Sequence, residues 1–377
     1  MSGTREGAIV RMKICMISRP PLRKLTGKFR ITRNHVLGKM NLVGHDVEKF
    51  VIHPLRIPNH YLAYGLAIAL APIRFRKLTP DLILADTLES SMAAALIKCV
   101  FRIPFVFNFI DDYSLIASYE GRMLRYHAFK YLERIIPKVA DLVISVDRPK
   151  EEFCLDMGIP KEKVRMIPNG VDTRQFTPRS GDARLRDELG LRRNGVVLFV
   201  GKMNRYYELG TIVKGIPAVL AERPETQFLF VGDGDDMDHL RGLAKNLKVE
   251  DAVVFAGFRP SEQIVEIINL AEICVFSLPD GSALALFEYM ACGKPIVVPK
   301  GGTRKMGIPK EMIPDNCVLT VDKSPEGFAE GICFLLNNRE LALEMGKRAR
   351  ELAEQSYDWN MLVLQYEQAF KEVVKAK

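Results

Sequence analysis

Two carboxylates eight positions apart, Asp280 and Glu288, flank a stretch that passes from a loop into a helix. An apolar, strand-like run precedes Asp280, so Gly281, Ser282 and Ala283 fall in the first turn of the predicted helix. Amides in a first helical turn have no partner within the helix, and together with the helix dipole they favour an anion. The stretch therefore predicts a diphosphate site at residues 281–283.

The two carboxylates suit hydroxyl groups on either side of such a diphosphate. Glu288 falls about a turn and a half inside the predicted helix, where it could accept hydrogen bonds from the paired hydroxyls of a ribose. Asp280 stands before the site and could accept from a sugar attached beyond the phosphates. The alternative is an ordinary amphipathic helix, with Asp280 as its cap and Glu288 as a solvated charge.

The composition is that of a cytoplasmic globular protein. The 377 residues are 48% apolar and 27% charged, and this length favours two domains. Seven cysteines show no CxxC spacing, which indicates buried reduced thiols and no metal cluster. The longest apolar run, Tyr61 to Ile73, is shorter than the roughly 20 residues that span a bilayer.

Positive charge is concentrated in the first half of the chain. Residues 1–174 hold 28 Lys and Arg against 17 Asp and Glu, a balance of +11, whereas residues 175–377 hold 26 against 29. Ten of the cations occur between Arg5 and Lys39. They could attract a phosphorylated acceptor or an anionic lipid, or they could belong to a solvated loop. No nucleic-acid partner is expected, because the chain shows no RRM, zinc-finger or KH motif.

Strand-like and helical segments alternate along the chain in a βαβ rhythm, and the strands are apolar at nearly every position. The rhythm stops at Pro168–Asp172 and resumes after a polar segment. We therefore predict an α/β protein with two tandem, doubly wound, Rossmann-like domains that face a cleft. The predicted bounds are a first domain at 1–172, a linker at 173–194, a second domain at 195–356 and a final helix at 357–377 that packs back on the first domain. Among the predicted elements are strands at Lys13–Ser18, Leu82–Ala85 and Phe105–Phe109 and single helices from Leu62 to Leu78 and from Leu115 to Pro137.

Five segments in order resemble the retaining, nucleotide-sugar-dependent glycosyltransferases of family 4, which have the GT-B fold. They are Val164–Asp172 with Phe176-Thr-Pro178, Phe199–Met203, Phe230–Asp235, Val254–Phe258 and Asp280–Glu288. The last occupies the place of the family's E-x7-E motif. The resemblance implies that the second domain binds a nucleotide sugar.

Within the E-x7-E motif the resemblance assigns Glu288 to the ribose and Asp280 to the transferred sugar. Asp280 keeps the charge of the family's glutamate and loses a methylene of reach. Gly281, Ser282 and Ala283 replace the usual Gly-Phe-Gly, so the backbone amides are kept and the side-chain lining changes.

Further donor-binding residues follow from the other matched segments. Lys202 stands where the family commonly has a phosphate-binding Arg, and it lacks the bidentate fork of that Arg. The Lys-Gly that follows in the family is replaced by Tyr207-Glu208, and Arg205 could supply a second cation or be a solvated loop residue.

The remaining donor-side candidates are glycines and the residues beside them. Gly232 and Gly257 end the strands that flank the nucleotide, and Phe258 and Arg259 lie where the base is recognised. Gly27 matches a glycine-rich loop that approaches the donor phosphates and the acceptor, although a plain turn explains it equally well.

The first domain departs from the family at a histidine. Many members carry His-Asp after the strand that matches Phe105–Phe109, and this chain has Ile110-Asp111. In retaining transfer the leaving phosphate can itself take the acceptor proton, so the loss need not abolish activity. Asp111 is a catalytic candidate, and its alternative role is to cap the helix that starts near Ser114.

The segment from Tyr61 to Lys77 is apolar and then cationic. It could lie at a membrane interface, as in some lipid-directed family members, or form a buried Rossmann helix with a basic end. The first reading adds peripheral association with the inner face of the membrane to the cytoplasmic expectation.

The function expected from the resemblance is transfer of a hexosyl unit from a UDP- or GDP-sugar to a hydroxyl of a glycan, polysaccharide or lipid-linked acceptor. The anomeric configuration is retained, and neither a metal nor a cofactor is expected. Two alternatives stay open, namely a GT-B UDP-sugar epimerase and a non-catalytic nucleotide-sugar-binding subunit. The second is motivated by Ile110, Ala283 and the missing lysine.

Overall fold

The computed structural model describes residues 11–18, 40–41, 43–53, 60–277, 284–300 and 313–375, with the backbone alone at residues 60, 61 and 206. The chain divides into two units. The first unit holds the described residues up to Ile167 and those from Leu362 onward, and the second holds Pro168–Met361.

The first unit is built on a sheet of six strands. They are β1 (Lys13–Ser18), β2 (Asp46–Val51), β3 (Leu82–Ala85), β4 (Phe105–Phe109), β5 (Leu142–Ser145) and β6 (Val164–Met166). All pairings are parallel, in the order β2-β1-β3-β4-β5-β6. Every residue of β3, β4 and β5 is buried. This explains why these strands are apolar without alternation, since helices cover both faces of a parallel sheet.

Helices connect these strands. They are α1 (His60–Ala69), α2 (Ala71–Phe75), α3 (Leu88–Phe101), α4 (Tyr113–Tyr119), α5 (Met123–Val139) and α6 (Arg148–Asp156). The predicted single helix from Leu62 to Leu78 is wrong, because α1 ends before α2, which has Pro72 in its first turn and so lacks an amide donor there. The predicted single helix from Leu115 to Pro137 is also wrong. Gly121 adopts a φ of +69° between α4 and α5, a conformation that favours glycine and ends a helix.

The second unit contains a second parallel sheet. Its strands are β7 (Gly195–Val200), β8 (Thr226–Val231), β9 (Val253–Gly257), β10 (Ile273–Val275), β11 (Ile296–Pro299) and β12 (Leu319–Val321), in the order β12-β11-β10-β7-β8-β9. Its helices are α7 (Ala183–Glu188), α8 (Gly210–Glu222), α9 (Met237–Asn246), α10 (Ser261–Leu270), α11 (Leu284–Ala291), α12 (Pro325–Asn337) and α13 (Arg339–Ser356). Each unit has its own apolar core, and the predicted pair of Rossmann-like domains is confirmed.

The last helix, α14 (Trp359–Lys375), begins in the second unit and continues in the first. In the first unit the hydroxyl of Tyr366 donates to Oδ1 of Asn108 at 3.5 Å. Glu367 lies 3.0 Å from Nε2 of the buried His45. Most of the final helix is thus part of the first unit.

The motif at Pro168–Asp172 lies where the chain enters the second unit. The amide of Val171 donates to the carbonyl of Tyr357 at 2.9 Å, and the carboxylate of Asp358 accepts from the amide and hydroxyl of Thr173. The motif therefore binds the segment that leads into α14. Residues 173–194 also belong to the second unit and include α7.

Candidate active site

Six donor-side candidates lie in the loops that follow β7, β8 and β9 or at the last residue of β9, namely Lys202, Arg205, Gly232, Gly257, Phe258 and Arg259. Because the sheet is parallel, these loops share its carboxyl edge, where ligands bind in open α/β sheets. The first two loops are in direct backbone contact. Gly232 has a φ of +138°, and a Cβ at this position would lie 1.8 Å from the carbonyl oxygen of Gly201. Any side chain at residue 232 would therefore push the two loops apart.

Backbone hydrogen bonds hold the loop that carries Lys202. The amide of Gly201 donates to Val231 at 2.9 Å, and the amide of Met203 donates to Asp233 at 3.0 Å. Lys202 is half-buried between these two fixed residues. The following residues continue as a short 3-10 helix, Arg205–Tyr207, in which Arg205 is exposed. The loop thus presents two cations from a rigid backbone.

Two side chains after β9 occupy the predicted base-binding position. Gly257 ends the strand with a φ of +68°, and a Cβ there would meet no atom within 4 Å. The next side chain, Phe258, is 49% exposed. Arg259 donates to Glu188 of α7 at 2.8 Å, whereas its buried Nε has no hydrogen-bond partner within the described part of the chain.

Glu288 is buried, with 6% of its surface exposed. It lies on α11, where every residue from Ala285 to Ala291 is buried. The helix is attached to the neighbouring strand through the residue after Glu288, because the Tyr289 hydroxyl accepts from the amide of Val200 at 2.6 Å. Burial raises the pKa of Tyr289, so the phenol stays neutral. The alternative reading of Glu288 as a solvated charge is therefore wrong.

Five of the predicted site residues, Gly27 and Asp280–Ala283, lie outside the described residues. Ser277 is the described residue nearest to Asp280 in the sequence, and sequence reasoning missed it. Its hydroxyl is buried at the carboxyl end of β10 and has no hydrogen-bond partner in the described structure. A buried hydroxyl without a partner is uncommon in proteins. The only signal in the sequence is that Ser277 is the first polar residue after an apolar strand.

The first unit brings charged residues together after β4 and β5. Lys150 is buried at the start of α6, and its Nζ lies 2.6 Å from Asp147 and 3.7 Å from Asp112. The half-buried Asp111 immediately precedes this group. The sheet edge thus holds three acids and one buried cation.

The amide of Ser114, which Asp111 would bind if it were the helix cap, has another acceptor. The amide and hydroxyl of Ser114 donate to Glu133 of α5 at 2.8 and 2.6 Å, so a carboxylate from the next helix binds the Ser114 amide that a cap at Asp111 would have taken. Burial raises the pKa of Glu133, the two bonds from Ser114 oppose that rise, and the charge of Asp112 adds to it.

No group of three or more His, Cys, Asp or Glu residues within the described ranges could hold a metal ion. All seven cysteines are free, and six of them are buried. None of the described helices is both long and apolar enough to cross a membrane.

The two halves of the chain match two family models. Residues 27–175 match Glycosyltransferase Family 4, and residues 183–352 match Glycosyl transferases group 1. Among curated relatives, N-acetyl-alpha-D-glucosaminyl L-malate synthase of Bacillus anthracis is 27% identical over 240 residues, which cover 63% of this chain and 61% of the relative. The chain thus matches about three fifths of that relative's own length.

Solved structures share the fold along nearly the whole chain. Sucrose-phosphate synthase from Thermosynechococcus elongatus superposes with a TM-score of 0.77 at 21% identity, covering 97% of this chain and 100% of that structure. HepE of Anabaena, in complex with UDP and glucose, gives a TM-score of 0.74 at 19% identity and covers 96% and 100%. With two six-stranded parallel sheets, this fold and both family models matched in order, the chain belongs to the family 4 glycosyltransferases with the GT-B fold.

Proposed function

We propose that this glycosyltransferase moves a hexosyl unit from a nucleoside diphosphate sugar to a hydroxyl group of a glycan, polysaccharide or lipid-linked acceptor, with retention of the anomeric configuration. The second unit takes the donor and the first takes the acceptor. Support for the donor class comes from HepE, which has the same fold and was solved with UDP and glucose. A UDP- or GDP-sugar is the donor we favour.

The observation that carries the proposal is the burial of Glu288. A carboxylate is costly to bury, and Glu288 is the one acid on a helix whose other residues are apolar apart from the Tyr289 hydroxyl. A ribose offers two adjacent hydroxyl donors, which a carboxylate can accept together. The hydrogen bond from the Val200 amide to the Tyr289 hydroxyl attaches the helix of Glu288 to the strand that leads to Lys202.

The diphosphate would be neutralised by Lys202 and Arg205 together with the amides of residues 281–283. If the backbone amides of residues 281–283 donate as the sequence predicts, these groups would offset the diphosphate charge without a metal or a cofactor. In the retaining step the bond between the anomeric carbon and the leaving phosphate oxygen breaks. The acceptor oxygen bonds to that carbon from the same face, and its proton passes to the leaving phosphate. Asp280 would hold hydroxyls of the transferred sugar, and Asp111 would assist from the first unit.

A cytoplasmic location is also part of the proposal. Burial raises the pKa of Cys15 and Cys154 to about 12, so both thiols stay protonated and unreactive. Such thiols suit a reducing compartment.

The test is donor-dependent release of nucleoside diphosphate. UDP-, GDP-, ADP- and dTDP-sugars are first screened by thermal shift, since a ligand at 100 times its Kd adds about 2.7 kcal/mol of stability. The stabilising donor is then incubated with candidate acceptors, and the anomeric proton of the product is assigned by NMR. Retained configuration and release of the diphosphate support the proposal, whereas an inverted product contradicts it.

A second candidate is a nucleotide-sugar-binding subunit without turnover. The missing lysine favours it, because Tyr207 stands where the family has that lysine. Donor binding without diphosphate release, across glycan and lipid-linked acceptors, would identify this alternative.

A further inference from the structure

An exposed apolar surface covers one side of the first unit. It comprises seven large side chains on α1, α2, α3 and the residue between α1 and α2, each between 37% and 60% exposed: Leu62, Leu66, Leu70, Ile73, Leu96, Val100 and Phe101. We call these seven residues the apolar face. The helices that carry it are neighbours, since α1, α2 and α3 contact one another and the rings of Phe75 and Phe101 are 6.1 Å apart. The face is therefore one surface shared by adjacent helices.

Several of the large apolar side chains on α1 and α2 lie on the outside. Ile68 and Phe75 are buried together with three alanines, whereas Leu62, Leu66 and Ile73 are exposed. A helix that served only its own core would bury its largest apolar side chains, because burial of a Leu contributes more than burial of an Ala. The outward leucines indicate that something else covers them.

Cations border the apolar face at the ends of α2 and α3. Arg74, Arg76, Lys77 and Arg102 are exposed, and none of them forms an ion pair with another described residue. No acidic residue occurs in the sequence between Glu48 and Asp81. The border of the face thus has only positive charge along α1 and α2.

We infer that the apolar face binds the surface of a bilayer that contains anionic lipids. The apolar side chains would enter the boundary between head groups and acyl chains, roughly 5–10 Å deep, and the cations would contact the lipid phosphates. A second copy of this chain fits less well. Two such faces in contact would bring together eight border cations, and α1 and α2 offer no acid to pair with them. This inference goes beyond glycosyl transfer, since binding to a bilayer requires no donor or acceptor.

The inference can be tested by flotation of the full chain with phosphatidylcholine vesicles, with and without one third phosphatidylglycerol. We expect the chain to float with the anionic vesicles only. The double variant Leu66→Glu/Ile73→Glu should bind them at least tenfold more weakly. The variant Arg74→Gln/Arg76→Gln/Lys77→Gln should bind more weakly at low salt and lose most of its dependence on salt, because it removes charges that the lipids attract.

Two controls separate binding through the apolar face from nonspecific binding through other exposed leucines. Leu343→Glu changes a leucine on α13 in the second unit that is more exposed than Leu66 or Ile73, and it should float like the unmodified chain. Leu124→Glu changes the most exposed leucine among the described residues, at the start of α5, and should also retain binding. Calorimetry with UDP or GDP and circular dichroism of each variant show whether it is folded, so failure of membrane binding is distinguishable from failure of the proposed transferase function.

Three results would overturn the inference. The first is that the unmodified chain fails to float with anionic vesicles. The second is that Leu124→Glu abolishes flotation while Leu66→Glu/Ile73→Glu leaves it unchanged. The third is a dimer in sedimentation equilibrium that Leu66→Glu/Ile73→Glu dissociates, which would assign the apolar face to a second copy.

Discussion

The Nζ of Lys323 lies 2.7 Å from Oε2 of Glu208. Glu208 follows the loop of Lys202 and Arg205, in the pair Tyr207-Glu208 that replaces the family's Lys-Gly, and Lys323 comes from the segment after β12. The acid at the family's glycine position is therefore paired with a cation from another part of the second unit. As a result, Lys323 offsets the negative charge of Glu208 beside the two candidate phosphate-binding cations.

We expect Lys323→Met to weaken binding of UDP or GDP by about three- to tenfold, or roughly 0.7–1.4 kcal/mol. The substitution leaves Glu208 without its cation and so increases the repulsion felt by a diphosphate. The ion pair is partly exposed to water, so the thermal midpoint should change little. Isothermal calorimetry at two salt concentrations measures the effect.

Lys214→Met, an exposed lysine on α8, is the matched control and should bind like the unmodified chain. Glu208→Gln should bind the diphosphate at least as tightly as the unmodified chain, since it removes a negative charge. Equal affinity for Lys323→Met and Lys214→Met would show that the Lys323 pair has no part in donor binding.

Glu288→Gln should weaken donor binding by roughly 10- to 100-fold while leaving the chain folded. A hydrogen bond to a charged group contributes about 1.5–3 kcal/mol, and the amide keeps the shape of the carboxylate while removing its charge. Stability should be equal or slightly higher, because a buried charge is costly. Titration with UDP or GDP, beside the exposed control Glu330→Gln on α12, measures the loss. A drop in stability without a drop in affinity would assign Glu288 to a structural network.

Much of the fold could be predicted because the sheets are parallel and covered on both faces. The strands Lys13–Ser18, Leu82–Ala85 and Phe105–Phe109 have the predicted bounds, since each is a short and mostly apolar run. The break at Gly121 was missed. The helical pattern continues across it, and a single glycine in such a pattern is usually tolerated.

The site was less predictable, for physical reasons. The sequence Leu284–Ala291 has no polar face, so periodicity could not show whether Glu288 points to water or to the interior. The pair Glu208–Lys323 joins residues far apart in the chain, and no local pattern in a single sequence connects them. The outward leucines of α1 have the same periodicity as a buried stripe, so the apolar face appeared only once burial was known.

Ser277→Ala should separate a ligand-binding hydroxyl from a structural one. In the free protein this hydroxyl is buried and has no hydrogen-bond partner in the described structure, so its removal should leave stability unchanged or raise it slightly. If the hydroxyl contacts the donor, the affinity for the nucleotide sugar should fall by about fivefold to tenfold, as for a neutral hydrogen bond of roughly 1–1.4 kcal/mol. Chemical unfolding and calorimetry measure the two effects. A loss of stability with unchanged affinity would show that Ser277 is purely structural.

The last prediction concerns the pH dependence of stability through Glu133. Burial raises the pKa of this carboxyl in the folded chain, so the folded state holds its proton to a higher pH than the unfolded state does. Stability from this group is therefore lost as the pH rises from the ordinary glutamate pKa through the raised one, and the loss is complete above the raised pKa. Glu133→Gln keeps an acceptor for the amide of Ser114 and cannot ionise. We expect it to match the unmodified chain below pH about 4 and to be the more stable of the two at neutral pH.

The free energy of unfolding, measured in denaturant at several pH values between acidic and neutral, checks this expectation. Ser114→Ala is the informative companion, because it removes the hydroxyl hydrogen bond that favours the ionised form of Glu133 and keeps the one from the amide of residue 114. The fall in stability with rising pH should therefore become steeper than in the unmodified chain. Glu120→Gln, at an exposed acid between α4 and α5, should show no such pH-dependent gain. If Glu133→Gln were less stable than the unmodified chain at neutral pH, the ionised carboxylate would be the stabilising form. The bonds from Ser114 would then outweigh the cost of burial.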